Sequence, residues 1–475
     1  MPTKIAQRWL IGVVICLLPT LFYYYVGEEG VFTLNAVEMA QSGVWRDTVM
    51  YGVRGGGGNG RPPLHAWLLI PLAQTLGWAH VLLASRLIAI LSTLATAATL
   101  GWLAHVLWPR RQMGWSTALL YLLTVDVLFY RGWLAYADPL FACLTVLALA
   151  LCWAACARRQ LGLLLLAWAA ACGAMLAKAL VVYGVLGVAA TVLATQAPYR
   201  RFLLQPRAWA VHAAGLALPL IWLLLIAGDS GQHGALLHDL VRYFEPAQVS
   251  DYLARFVTYP LEMAARLLPA SGILLWAWWQ RRRARRAGAA PERWPIDARL
   301  ALWMGLLCVL PFWLAPVGGP RYVLPLYGLL VLPASYVLAA ELSARILRRW
   351  ALGLLLLASI TNCLLYPLYQ HKVRGRNYHE LALQLQRDYG SAPLYWTNVS
   401  SVGLSVVAEL DTLRWPAPAL VWPPKDLKDG IIIAHAPSDF NAPVLTTLQV
   451  DNDSLLLLCR GSGCAMRSIP TLSKQ

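Results

Sequence analysis

Apolar runs of about bilayer length, roughly 17 residues or more, recur along almost the whole chain, and arginines punctuate them. They fall near 9–26, 81–107, 115–130, 139–156, 161–176, 179–196, 208–227, 260–279, 299–316, 323–340 and 350–367. So many runs of this length read as membrane helices, about eleven, plus or minus two. The first continues into Gly27-Glu28-Glu29-Gly30 rather than a small-residue cleavage site, so it reads as a retained helix. Composition agrees: 59% of the residues are hydrophobic and 13% charged, against roughly 25% charged in a soluble domain.

The charge pattern orients the chain. Lys4 and Arg8 precede the first helix, which places residue 1 in the cytoplasm and the following loop outside. Segment 62–79, also apolar, decides the rest. If it stays at the interface, held by Pro62 and Pro63, Arg110-Arg111, Arg158-Arg159, Arg200-Arg201, the run 281–286 and Arg348-Arg349 all land on the cytoplasmic side. If it crosses, they all land outside. The positive-inside rule selects an interfacial or re-entrant segment. The same rule accounts for the net charge of +16 without nucleic acid as a partner.

The predicted architecture is an all-α polytopic membrane protein with a small α/β C-terminal domain outside. The transmembrane domain covers 1–367, with a first external loop at 26–80 carrying interfacial helices and a polar external loop at 228–258. The external domain covers 368–475. There Asn377–Gly390 reads as an amphipathic helix closed by Gly390, and 391–400, 429–437 and 454–460 read as strands between turn residues. Cys459 and Cys464 can pair if this tail lies in an oxidising compartment. The other seven cysteines sit in apolar runs and read as buried small hydrophobes.

This topology gathers a mixed acidic, basic and histidine set outside: Glu28, Glu29, Glu38, Asp47, Arg131, Asp138, Lys178, His233, His238, Asp239, Arg242, Glu245, Arg321 and Tyr322. Carboxylates beside hydrocarbon are costly and mark candidate sites. Glu28 and Glu29 can serve as a general base, partial desolvation raising a carboxyl towards a useful pKa, or as metal ligands. Their alternative is a solvated loop end. Glu38 shares a helical face with Asn35 and Ser42. Asp138 reads equally as a site residue and as a helix N-cap ahead of Pro139. Lys178, in a turn between apolar helices, offers a point charge for a phosphate or simply snorkels. Arg321 offers a bidentate fork at the external mouth. Pro63 and His65 either line substrate or shape the entry of the interfacial segment. The run 54–60 lacks the lysine and hydroxyl of a phosphate loop and reads as a flexible loop. No cofactor is demanded. A divalent metal stays an open option, with Glu29, His233 and His238 as candidate ligands, although their spacing matches no closed zinc site.

These residues, in this order, resemble the C-type-fold membrane glycosyltransferases, in the subgroup of the protein O-mannosyltransferases and the lipid A aminoarabinose transferase. The resemblance rests on Glu28-Glu29-Gly30, Val37-Glu38-Met39, Ser42-Gly43-Val44-Trp45, Arg61-Pro62-Pro63-Leu64, Asp138, Leu176-Ala177-Lys178-Ala179 and Arg321-Tyr322-Val323-Leu324-Pro325, over about 1–340. Two departures stand out. The family's first acidic residue is usually Asp, and here it is Glu28. Asn59-Gly60 occupy positions where the lipid A enzymes can carry an acid.

The resemblance implies an inverting, single-displacement transfer of a sugar from an undecaprenyl or other polyprenyl phosphate to a glycolipid such as lipid A, or to a protein. Glu28, assisted by Asp138, would be the catalytic base. Lys178 and Arg321, with Tyr322 and Arg131, would hold the donor phosphate. Glu38, Pro63 and His65 would line the site. The location implied is the bacterial inner membrane, with the active site and C-terminal domain periplasmic. A transporter or flippase of a lipid-linked substrate is the rival reading. It calls for deep polar residues, of which Asp126 is the main candidate, and for paired broken helices.

Overall fold

In hydrocarbon every backbone polar group must be satisfied within its own segment, and helices do this. A computed structural model of the chain describes residues 3–45, 49–50, 53–54, 62–109, 111–226, 248–288, 293–316, 320–341, 344–373, 376–397, 400–435, 442–450, 453–461 and 464. Among them six helices are long and apolar enough to cross a bilayer: Trp78–Leu107, Ala137–Arg158, Pro206–Leu224, Ile296–Leu314, Tyr322–Glu341 and Arg348–Lys372. Four shorter apolar helices, Arg8–Phe22, Leu64–Leu76, Leu161–Ala177 and Val181–Ala194, accompany them. The chain is a polytopic, mostly helical membrane protein, as its apolar runs predict. Segment 62–79 forms the 13-residue helix Leu64–Leu76, about 20 Å long, followed by the 3-10 turn Trp78–His80.

Two compact units are present. The larger comprises Met1–Pro19, Ala89–Ile226 and the described part of Leu236–Cys363. Two of its expected spans are broken. The run 115–130 splits into a helix, Arg111–Leu122, and a π-helical turn, Val127–Arg131. Between them the Val125 N–H donates to the Leu268 carbonyl, 2.8 Å away, instead of back along its own chain. The run 260–279 splits into Val249–Arg266 and Ala270–Arg286 at Pro269, which has no N–H to continue a helix. The first of these helices begins inside what the sequence reads as the polar loop 228–258. The rest of that loop, including His233 and His238, lies outside the described residues.

The smaller unit comprises Thr20–Ile88 and the described part of Leu364–Gln475. A division at 367/368 is therefore not the one the chain adopts. The first loop folds with the C-terminal segment because helix Glu29–Ser42, buried at every position from Glu29 to Met39, packs against helix Ser401–Arg414. Gly30 makes the close approach: a Cβ there would lie 2.8 Å from the Leu404 carbonyl oxygen and 2.8 Å from the Ser405 Cα. Gln41 donates to the Ala417 carbonyl and accepts from the Ala419 N–H, and Trp78 stacks on Trp415 with ring centroids 4.3 Å apart.

Beyond a two-residue hairpin, β1 (Val49–Met50) and β2 (Val53–Arg54), the unit carries a four-stranded sheet of β3 (Leu394–Thr397), β4 (Gly430–Ala434), β5 (Val444–Val450) and β6 (Asp453–Arg460). The strand order is β3-β4-β6-β5. The pair β3/β4 is parallel and so needs a crossover, which helix Ser401–Arg414 supplies. That helix and β5 are absent from the sequence reading. The signal for the helix is Ser400, whose side chain caps it by accepting from the Gly403 N–H. Strand β5 exposes much of its length and carries little apolar alternation. Cys459 and Cys464 form a disulfide.

Burial within this unit makes one pH-dependent contribution to stability. Asp411 is 1% exposed, and burial pushes its carboxyl up to about 7, against the opposing pull of the Leu420 N–H and Arg414. The unfolded chain holds that proton only below about pH 3.9. Between these values the folded state binds more protons, so the contribution is complete at acid pH and lost as pH rises through about 7. The unfolding temperature of wild type should therefore fall, relative to Asp411→Asn, between pH 5 and pH 8. Parallel pH profiles for the two proteins would remove Asp411 as the cause.

Candidate active site

In the larger unit the helices Ala137–Arg158 and Leu161–Ala177 are joined by a two-residue turn, and the second ends at Lys178. The Lys178 backbone N–H closes that helix on the Ala174 and Met175 carbonyls. Its side chain reaches Asp138, with Nζ 2.5 Å from Oδ1, and lies 4.7 Å from the centroid of the Tyr322 ring. Three of the residues singled out in the sequence thus converge on one ammonium group. The pair is largely buried, with side-chain exposures of 18% for Lys178 and 7% for Asp138. Asp138 is not the helix cap. Tyr136 holds the cap position, and Asp138 sits in the first turn with its carboxylate directed at Lys178. Tyr322 lies in the 3-10 turn Pro320–Leu326. Arg321 shares that turn, but its side chain lies outside the described residues.

The two broken spans build a second charged cluster in the same unit. Asp126 Oδ1 accepts from Arg266 (2.7 Å), Oδ2 accepts from the Tyr327 hydroxyl (2.8 Å), and Arg131 Nε lies 3.1 Å from Oδ2. Arg266 also pairs with Glu262 one turn earlier. Arg131, named with Lys178 and Arg321 as a holder of the donor phosphate, pairs here with Asp126. Asp126, the deep polar residue that a transporter would use, is instead held by two arginines and a tyrosine beside the helix breaks.

In the smaller unit the acidic pair divides. Glu29 is fully buried and forms a two-pronged ion pair with Arg86, Nε to Oε1 at 3.1 Å and Nη2 to Oε2 at 2.6 Å. Glu29 Oε2 also accepts from the Val26 N–H at 2.8 Å. The remaining Arg86 donors close the carbonyls of Thr20, Tyr23 and Tyr24, where the first helix ends. Both Glu29 oxygens are occupied and shielded, so its reading as base or metal ligand is corrected to a structural one. Glu28 precedes it at the cap position, half-buried, without a capping hydrogen bond. Glu38 and His65 are buried within the unit. His65 lies 3.4 Å from the Ser85 hydroxyl and edge-on to Phe32, and Pro63 caps helix Leu64–Leu76. Among the described residues no three His, Cys, Asp or Glu side chains gather as a metal site would require. His233 and His238, named as metal candidates, together with Asp47 and Arg61, lie outside those residues.

No family model and no curated protein sequence matches this chain. Solved structures do. The apo crystal structure of ArnT from Cupriavidus metallidurans aligns over 98% of this chain and 99% of its own, with a TM-score of 0.69 at 17% identity. ArnT from the same organism bound to undecaprenyl phosphate aligns over 99% of this chain and 100% of its own, with a TM-score of 0.71 at 17% identity.

This chain has the ArnT fold. The likeness is end to end, so the C-type architecture implied by the motif order extends through the C-terminal unit, where no motif marks it. Within the ArnT fold the residues missed by sequence reading are Arg86, Arg266 and Tyr327. Arg86 carried a signal: a lone arginine inside an apolar run is expensive and needs a partner. Arg266 and Tyr327 carried none, because only the helix breaks bring them to Asp126.

Proposed function

We propose that this chain is a membrane glycosyltransferase that moves a sugar from a polyprenyl phosphate, of the undecaprenyl class, to an acceptor outside the cytoplasm, such as lipid A or a protein. The observation that carries the reading is the Lys178 ammonium, fixed between Asp138 and Tyr322 in a chain with the fold of an ArnT solved with undecaprenyl phosphate. In the proposed step an acceptor oxygen attacks the anomeric carbon with inversion. The bond from that carbon to the phosphate oxygen breaks, and the electron pair leaves on the polyprenyl phosphate. Lys178 stabilises the charge gathering on that phosphate, and Asp138 orients Lys178. A fixed cation in a poorly solvated site stabilises developing charge without reorganising. Glu28 takes the proton of a hydroxyl acceptor. A phosphate acceptor, already anionic, needs no base. The arginine distribution supports a cytoplasmic N-terminus, and the Cys459–Cys464 disulfide supports a periplasmic tail.

Purified protein supplied with an undecaprenyl-phosphate-linked sugar should form a glycosidic product, and none from a nucleotide-linked sugar. Glu28→Gln should lower the rate with a hydroxyl acceptor by about 100-fold or more and leave a phosphate acceptor nearly unaffected. Movement of the intact lipid-linked sugar across a vesicle membrane without any glycosidic product would replace this reading with the transporter.

A further inference from the structure

The arginine run 281–286 has a shape beyond the charge bias that orients a membrane protein. In helix Ala270–Arg286 and the adjoining Trp294 the guanidinium groups lie over indoles: Arg281 over Trp294 at 4.6 Å, Arg282 over Trp278 at 5.2 Å and Arg283 over Trp279 at 5.6 Å. A cavity of about 560 Å³ opens beside them, bounded by Leu274, Trp278, Arg281, Arg282, Arg285 and Trp294, with Leu302 of the next helix on its apolar wall. Arg281 is paired with Glu341. Arg282 and Arg285 are exposed, and among the described residues neither meets a carboxylate. Trp278, Trp279 and Trp303 are 54%, 49% and 58% exposed, as side chains at the headgroup level of a bilayer are.

We propose that this cavity binds the headgroup phosphodiester of an anionic phospholipid, with Arg282 and Arg285 on the phosphate and the acyl chains along Leu274 and Leu302. Three features of the cavity match that ligand together. Two arginines that meet no carboxylate among the described residues supply fork-shaped donors to phosphate. The Trp278 indole lies beneath the Arg282 guanidinium and steadies it, and the exposed tryptophans mark the interface. Leu274 and Leu302 line the same cavity as the basic residues, and apolar lining beside a basic rim suits a phosphate attached to lipid chains better than a free one. The cavity shares no lining residue with the Lys178, Asp138 and Tyr322 cluster, and the proposal does not depend on the glycosyltransferase reading.

The test is a native mass spectrometry titration of the full purified chain with phosphatidylglycerol. Wild type should bind about tenfold or more tightly than Arg282→Gln/Arg285→Gln, since each basic residue near an anionic lipid contributes several-fold. Both side chains are exposed, so the double variant should keep the wild-type unfolding temperature. Arg348→Gln/Arg349→Gln, an equal loss of charge elsewhere, should bind as wild type does. The proposal is overturned if the first variant binds phosphatidylglycerol like wild type, if the second loses as much, or if phosphatidylcholine binds equally well. Displacement of the lipid by inorganic phosphate at equal concentration would reassign the cavity to a free anion and overturn the lipid assignment.

Discussion

Lys178→Met should lower transfer from a polyprenyl-phosphate donor by about 100-fold or more, the usual effect of removing one fixed charge from a site that stabilises a developing anion. The loss should appear at saturating donor, because the phosphate gains charge as the sugar leaves. The variant also removes the ammonium that pairs with Asp138, whose side chain is 7% exposed, so lost activity alone would not separate chemistry from folding. Lys178→Met/Asp138→Leu separates them. Replacing both members of a buried pair by apolar residues of similar size is often close to neutral for stability. If the pair only holds the fold, the double variant regains both unfolding temperature and transfer. The expected outcome is recovered stability with transfer still lost. Wild-type rates in Lys178→Met would remove Lys178 from the mechanism.

Loss of Arg86 should be the most damaging single change to the fold. Breaking a fully buried ion pair by truncating one partner costs about 3–5 kcal/mol. Arg86→Leu leaves Glu29 charged at 0% exposure and also strips donors from the carbonyls of Thr20, Tyr23 and Tyr24. For a unit of this size the unfolding temperature of detergent-solubilised protein should drop by about 10 °C. Glu29→Leu/Arg86→Leu should recover only part of that, because the three carbonyls still lack their donor. Exchanging the two residues should fail for the same reason, since a carboxylate has no proton to give. Full recovery in the double apolar variant would show that the carbonyls matter little. An Arg86→Leu protein as stable as wild type would remove the ion pair from the fold's support.

The two predictions concern residues with different histories in the sequence. Lys178 and Asp138 were both marked by position, each at a turn beside an apolar run, and by a motif order that resembles C-type glycosyltransferases. Their direct contact was not marked. Glu28 and Glu29 looked equivalent as neighbours in a loop. They are not, because adjacent residues at a helix start point in different directions, and only one of them meets Arg86. The expected spans at 115–130 and 260–279 were apolar enough to be continuous. Each is interrupted because the Val125 N–H finds the Leu268 carbonyl and Pro269 cannot propagate a helix.

Composition and periodicity by themselves determined a multi-spanning helical protein, the helix after 376, three of the four strands of the C-terminal sheet and the positions from which a site could be drawn. These follow from local burial, which a run of neighbouring side chains reports directly. Tertiary structure decided the rest: which carboxylate is structural, that Lys178 is held by Asp138 across 40 residues, that Arg266 reaches Asp126 across 140, and that the first loop folds with the last hundred residues. Pairings at such separations depend on where helices break and how closely they pack, as Gly30 against Leu404 shows, and no local period in a sequence encodes either.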